Sequence, residues 1–168
     1  MLVTLDFETF YSVQHSLTKK TTMEYVNDEM FKVWGVSIKI DHEDTEWFGE
    51  DEVEDAIKDI DWGDAALICH NTMFDGYILT QYYGVKPAYY IDTAAMSRGL
   101  YPGQSARLKD CAAREWPNDE SMRKGDELVN AKGIFDLPPD IEQEIAGYCI
   151  QDVDLTWALY QEWLPRMP

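Results

Sequence analysis

Four acidic side chains and one phenol stand out by their spacing. Asp6 and Glu8 lie two residues apart at the end of a nearly continuous apolar run, Leu2, Val3, Leu5 and Phe7. Residues i and i+2 of a strand share a face, so both carboxylates can aim at one point. Holding two like charges together out of water is costly unless a cation neutralises them. In a chain with 32 Asp and Glu among 168 residues, an Asp-x-Glu triplet also arises readily by chance. A second group, His70-Asn71-x-x-Phe74-Asp75, follows the apolar run Ala65–Cys69 and opens a helical pattern. Open α/β sheets place their ligands at such junctions. Asp75 could equally serve the helix dipole there, and Asn71 could be a simple N-cap. Tyr148 and Asp152 form the third group: a spacing of i, i+4 puts phenol and carboxylate on one helical face, roughly 5–6 Å apart at Cβ. Glu144 competes for the same phenol one turn earlier, and an amphipathic tyrosine beside an exposed acid is a common surface feature. Carboxylates are hard oxygen donors, and none of His15, His42 and His70 has metal-ligand spacing, so Asp6, Glu8, Asp75 and Asp152 favour Mg²⁺ or Mn²⁺ over Zn²⁺.

These side chains need elements to position them. The run from Leu2 to Phe7 reads as a strand buried on both faces. Val33–Ile40 alternates, with Trp34, Val36, Ile38 and Ile40 on one side, and reads as a second strand. Thr45–Phe48 is a third, reached through the polar turn Asp41-His42-Glu43-Asp44. Val53, Ala56, Ile57 and Ile60 fall at helical spacing, and Ala65–Cys69 is another buried strand. Phe74, Ile78, Leu79 and Tyr82 continue as a helix until Gly84, and Tyr89-Tyr90-Ile91 is a short strand ending at Asp92. Ser105–Arg114 reads as a helix stopped by Trp116-Pro117. The final helix is set up by Pro138-Pro139, with Asp140 and Glu142 complementing its dipole, and Ile141, Ile145, Tyr148, Asp152, Leu155 and Leu159 trace one side. The order implies an α/β fold whose mixed five-stranded sheet begins as an antiparallel meander, continues by parallel crossovers and is flanked by helices. With no repeat, low-complexity tract or linker, residues 1–168 are expected to form one domain.

Composition narrows the classes of function. Hydrophobic residues make up 45% and aromatics 13%, enough for a packed core. The net charge is −18, a field that repels phosphate and argues against a generic nucleic-acid or membrane coat. The charge is uneven. Asp41–Asp64 holds twelve carboxylates and one Lys, whereas Arg98–Lys132 holds seven basic residues (Arg98, Arg107, Lys109, Arg114, Arg123, Lys124 and Lys132) against six acids. The acidic block reads as a solvated face and the basic window as the place where a polyanion can touch the chain. Cys69, Cys111 and Cys149 are an odd number without pairing or metal spacing, which favours a reduced, intracellular setting. With neither a membrane-length apolar run nor a signal peptide, the expected location is cytoplasmic, in a bacterium or an infected host, with no membrane partner.

Taken together in order, the Asp-x-Glu, Asn-x-x-x-Asp and Tyr-x-x-x-Asp groups resemble the three motifs of the DEDD superfamily of 3′–5′ exonucleases, in its tyrosine branch. The histidine branch would need His where this chain has Gly147. The resemblance spans nearly the whole chain and is strongest to the proofreading domains of bacteriophage family A DNA polymerases; Leu137–Thr156 looks like their third motif and Ile91-Asp92-Thr93 with its helix fits their pattern. It implies a ribonuclease H-like fold and two Mg²⁺ or Mn²⁺ ions that clamp the attacking and leaving oxygens of an in-line displacement. It assigns Asp6 to both metals, Glu8 and Asp152 to the one carrying the nucleophilic water, and Asp75 to the second. It assigns Tyr148 to orient that water, since a free phenol, with a pKa of about 10, is a poor base at neutral pH. Thr9 and Asn71 would contact the terminal nucleotide, and Phe10, Tyr11 and Phe74 are candidates to stack on the last bases. The implied substrate is a single-stranded or frayed DNA 3′ end, with a DNA polymerase as a partner in trans. An RNA substrate, as for ribonuclease D-like enzymes, and a non-catalytic acidic module are the alternatives.

Overall fold

A computed structural model describes residues 1–123 and 129–167; the side chain of Val129 is not described. Lys124, one cation of the basic window, lies outside the described residues. Among the described residues, five strands form one mixed sheet in the order β3-β2-β1-β4-β5. The apolar N-terminal run becomes β1 (Leu2–Thr9) and takes the centre, the position that suits a strand buried on both faces. β2 (Val33–Ile40) pairs antiparallel with β1, and β3 (Glu46–Gly49) antiparallel with β2, which is the expected meander. β4 (Ala66–Cys69) joins the other side of β1 in parallel, and β5 (Tyr89–Asp92) joins β4 in parallel.

Alternation along β1 assigns its side chains to two layers. Val3, Leu5 and Phe7 pack with Val36, Ile38 and Leu67 under α2 (Val53–Lys58) and α3 (Thr72–Tyr77), against Val53, Ile57, Ile78 and Leu79. On the opposite face Leu2 and Ile68 lie under α5 (Leu108–Glu115) and α6 (Pro139–Trp163), among Leu108, Cys111, Leu155, Leu159 and Trp163. The long helix α6 therefore covers the face that also carries Asp6 and Glu8.

Four local expectations are corrected. The register of β1 against β2 shifts between Glu8 and Thr9, where Glu8 faces Gly35 and Thr9 faces Val33. The skipped residue is Trp34, which leaves the Val36–Ile38 layer and packs with Phe10, Ala131 and Ile145, while Val33 takes its place. A bulge of this kind inverts the alternation beyond it. The helix after β4 stops being α-helical at Tyr77 and widens into a π turn over Ile78–Tyr82. The helix expected from Ser105 begins at Leu108, and that expected through Ile60 ends at Lys58. A short helix, α1 (Thr22–Val26), was not anticipated; a reciprocal capping box of Thr21 and Glu24 holds its start. α4 (Thr93–Leu100) follows β5, with Asp92 as its N-cap. Among the described residues, no helix is long and apolar enough to cross a membrane.

The α5–α6 layer is tied by one carboxylate. Glu115, whose side chain is 10% exposed, accepts from the indole of Trp163 at 2.8 Å and from Arg166 at 3.0 Å, and also from the Tyr101 hydroxyl. Burial opposes its ionisation, but these three donors together hold its pKa below the usual carboxylate range. A carboxylate depressed in the folded state contributes stability above its unfolded pKa and loses it as pH falls through the folded value. Glu115→Ala is expected to cost about 2–4 kcal/mol, because it strands a buried indole N–H. Urea unfolding at pH 7 and in mild acid checks this, and the wild-type advantage should shrink as the pH drops.

Candidate active site

Asp6 and Glu8 project from the last residues of β1 before the bulge, on the α6 face, opposite Ser37 and Gly35. Gly35 is required there: a β-carbon would sit 2.2 Å from the Trp47 ring, which folds across the strand. Ligand atoms of Asp6, Glu8 and Cys149 all lie within 4.8 Å of one another. Cys149, on α6, donates its thiol to the Asp6 carbonyl at 3.2 Å, and its Sγ is 3.6 Å from Asp6 Oδ2. Burial, then the charges of Asp6 and Glu8, push that thiol well above its ordinary pKa, so it stays protonated and acts as a donor. The carboxylate oxygens of Asp6 and Glu8 are hard donors of the kind that suit Mg²⁺ or Mn²⁺.

Asp75 reaches the same strand from the opposite layer. It is 2% exposed, and its Oδ1 accepts from the backbone N–H of Phe7 at 3.0 Å. Its role is thus more than complementing the dipole of α3. Burial, then the charge of Asp6, raise its pKa far above the ordinary carboxylate value. Asp152 lies on the sheet-facing side of α6, three residues beyond Cys149, and is 8% exposed. Tyr148 is half-buried and opens onto a groove of about 620 Å³ that it shares with Ser121, Met122, Glu144 and Gln151. Asp6, Glu8 and Asp75 thus meet at the end of β1, while Asp152 and Tyr148 lie on α6, the helix that covers the face carrying Asp6 and Glu8.

The expected substrate contacts fare differently. Asn71 is exposed and occupies the N-cap position of α3, but with φ 86° and no side-chain cap, so the capping alternative fails. Its backbone N–H instead donates to Asp92 Oδ1 at 3.1 Å, the oxygen that also caps α4. Phe10 is 3% exposed, with its ring against His15, Trp34 and Phe135, so the core takes the faces that were expected to stack on bases. Phe74 is half-buried against the β1 core and 6.0 Å from the Tyr25 ring, and Tyr11 packs edge-on to Trp34. The Thr9 side chain is buried and bonded to the Tyr25 hydroxyl at 2.8 Å, so it is committed to the core and not to a ligand.

Sequence reasoning missed the supporting roles of three residues. Tyr25 is one: its hydroxyl also donates to the Phe10 carbonyl, so one buried phenol holds the backbone that immediately follows Glu8. Burial raises its pKa to about 12, which keeps it a donor. Only the Thr21-x-x-Glu24 capping pattern pointed to the helix that carries it. Cys149 is another, unmarked by its spacing, and Asp92, which the sequence placed in the Ile91-Asp92-Thr93 match, gains its role as a shared acceptor and cap only in the structure.

No family model matches the sequence, and no curated protein matches it either. Solved structures do. A protein described as the apo form of the nuclease superposes over 98% of this chain and 72% of its own, at 16% identity and a TM-score of 0.65. NrnC of Brucella melitensis does so over 98% and 74%, at 15% identity and a TM-score of 0.61. The catalytic core of RRP6 from Trypanosoma brucei matches 96% of this chain and 40% of its own, at 14% identity and a TM-score of 0.66. The fold is shared with nucleases. NrnC structures of the same fold hold Mg²⁺ in one case and pGG in another.

Two outcomes are expected of the supporting shell. A carboxylate whose folded pKa is raised makes the protein less stable as pH rises above the unfolded value of about 4. Asp75→Asn keeps the bond to Phe7 N–H but removes the charge. It should therefore raise the melting temperature of the metal-free protein at pH 8 by a few degrees and abolish the further rise that millimolar Mg²⁺ gives the wild type. Scanning calorimetry with and without Mg²⁺ checks both signs. Tyr25→Phe should weaken Mg²⁺-dependent stabilisation several-fold by releasing the backbone after Glu8, while far-UV circular dichroism stays unchanged.

Proposed function

We propose that this protein is a metal-dependent 3′–5′ exonuclease that releases nucleoside monophosphates from single-stranded nucleic-acid ends. The carrying observation is the meeting of Asp6, Glu8 and Asp75 at the end of the central strand, where burial and the charge of Asp6 push the Asp75 carboxyl well above its ordinary pKa. Such a cluster is stable when divalent cations neutralise it. The shared fold with nucleases and the ordered Tyr148–Asp152 pair on α6 support the same reading.

Asp6 and Glu8, with Asp152 from α6, would hold one Mg²⁺ or Mn²⁺ ion, and Asp75 would serve the second beside Asp6. The ions supply Lewis-acid stabilisation of the phosphoryl oxygens and lower the pKa of water. The chain's own residues do the positioning. Cys149 fixes Asp6 through its thiol, Phe7 N–H fixes Asp75, and Tyr148 orients the attacking water at the mouth of the α6 groove. Four carboxylates and two divalent ions sum to zero, so an incoming phosphate meets no net repulsion at the reacting centre despite the chain's charge of −18.

The motif resemblance to polymerase proofreading domains makes single-stranded DNA the first substrate, and action beside a polymerase in trans its setting. Matched DNA and RNA oligonucleotides, each labelled at the 5′ end and incubated with Mg²⁺, test substrate and polarity together. Stepwise shortening from the 3′ end is expected; endonucleolytic cuts or shortening from the 5′ end would refute the proposal. Asp6→Ala should lower the rate at least a thousand-fold and Tyr148→Phe on the order of ten- to a hundred-fold, with Mg²⁺ affinity falling only for the first. Chelation with EDTA should stop the reaction and Mn²⁺ should restore it.

A further inference from the structure

The charge of this protein is polarised across its sheet. The acidic block of residues 41–64 includes β3 and α2, at one edge of the strand order, whereas the basic window begins in α4, just beyond β5 at the other. Several cations of the described residues are committed to carboxylates: Lys20 to Asp28, Lys32 to Glu50 and Asp136, Lys39 to Asp154, Lys58 to Glu54, Arg123 to Glu120, Arg166 to Glu115. Arg114 is spent on the Ser105 carbonyl and the Tyr101 ring. Among the described residues, Arg98 and Arg107 form no ion pair and no side-chain hydrogen bond, although the chain carries 32 acids. Both are exposed, and both line one groove of about 540 Å³ with His70, Asn71, Ala94 and Gln104.

That groove is built, and it opens at the catalytic end of the sheet. β1 and β4 run parallel with Thr4 beside Ile68, so in the same register His70, just past the end of β4, falls level with Asp6 of β1. His70 is clamped, with Nδ1 2.8 Å from Thr93 Oγ1 and Nε2 2.7 Å from the Ala106 carbonyl, which pins the α4–α5 connection to the β4–α3 turn. The Nε2–carbonyl contact makes Nε2 the donor. Asp92 has its Oδ1 occupied by the N–H groups of Asn71, Ala94 and Ala95. The groove wall thus offers two guanidinium groups and two side-chain amides, donors that match the geometry of phosphate oxygens.

Building on the nuclease reading above, we infer that this groove is the track for the substrate strand, with Arg98 and Arg107 binding the backbone phosphates of nucleotides upstream of the scissile bond. The occupant is a single-stranded polyanion, because a path on the other side of the active site would run towards the acidic block. The two arginines are binding residues with no part in the chemistry, so their effect depends on substrate length.

The test compares two substrates of the same enzyme. The p-nitrophenyl ester of thymidine 5′-monophosphate carries the scissile phosphate and no other, whereas a single-stranded 12-mer carries upstream phosphates. Arg98→Ala/Arg107→Ala is expected to raise KM for the 12-mer on the order of ten- to a hundred-fold and leave ester hydrolysis within about two-fold of wild type. The slope of log(kcat/KM) against log[salt] should become shallower by roughly 1.4, the value for two phosphate contacts on a single strand. Arg98→Lys/Arg107→Lys should recover most of the loss. Unchanged 12-mer kinetics, or equal losses on both substrates, would overturn the inference. If the wild type hydrolyses neither substrate, the nuclease reading fails. Fluorescence anisotropy of a labelled 12-mer then still decides the groove: a Kd equal for wild type and the alanine pair sinks it, and a weaker Kd in the pair upholds it.

Discussion

The structure depends on a repulsion. Three carboxylates, Asp6, Glu8 and Asp75, are brought from two strand positions and a helix to the end of β1, where burial raises the cost of every charge. The fold pins each of them with a donor or neighbour that has no other evident purpose. Phe7 N–H bonds Asp75, the Cys149 thiol bonds Asp6, and Gly35 leaves room for the Trp47 ring beside Glu8. A core organised for stability alone would have filled these positions with apolar side chains. The arrangement gives up stability to hold these charges together, a trade that functional sites commonly make.

Much of this was legible in the sequence, and particular residues show why. β1 announced itself by Leu2, Val3, Leu5 and Phe7, whose apolar density suits the central strand of a sheet covered on both faces. α6 was equally plain, because Pro138-Pro139 fixes its start and its apolar stripe runs over several turns. The meander and crossovers followed from the lengths of the connections. The five candidate residues came from short spacings, i, i+2 on a strand and i, i+4 on a helix, that were weak singly and gained meaning only as an ordered set resembling a known family.

What escaped notice was non-local. Phe10 was a candidate to stack on the last bases, but His15, Trp34 and Phe135 close over it from three parts of the chain. Trp34 satisfied a two-residue alternation and was assigned to the wrong layer, because the register shift between Glu8 and Thr9 is a property of two strands and neither sequence carries it alone. Tyr25, Asp92 and Cys149 support the site through hydrogen bonds to backbone or to residues far along the chain. Local periodicity cannot encode such partners.

The bulge has a consequence for how this chain can vary. Residues before it and after it present opposite parity, so the segment between Phe31 and Gly35 is phased at both ends: Val33 against the Leu5–Phe7 layer, Gly35 against Glu8. Removing or adding one residue there would turn Val33 and Trp34 inside out together and slide the acidic pair off its partners. Homologues should therefore tolerate changes of letter in this stretch but keep its length fixed, while the connections at the far end of the sheet are free to grow or shrink.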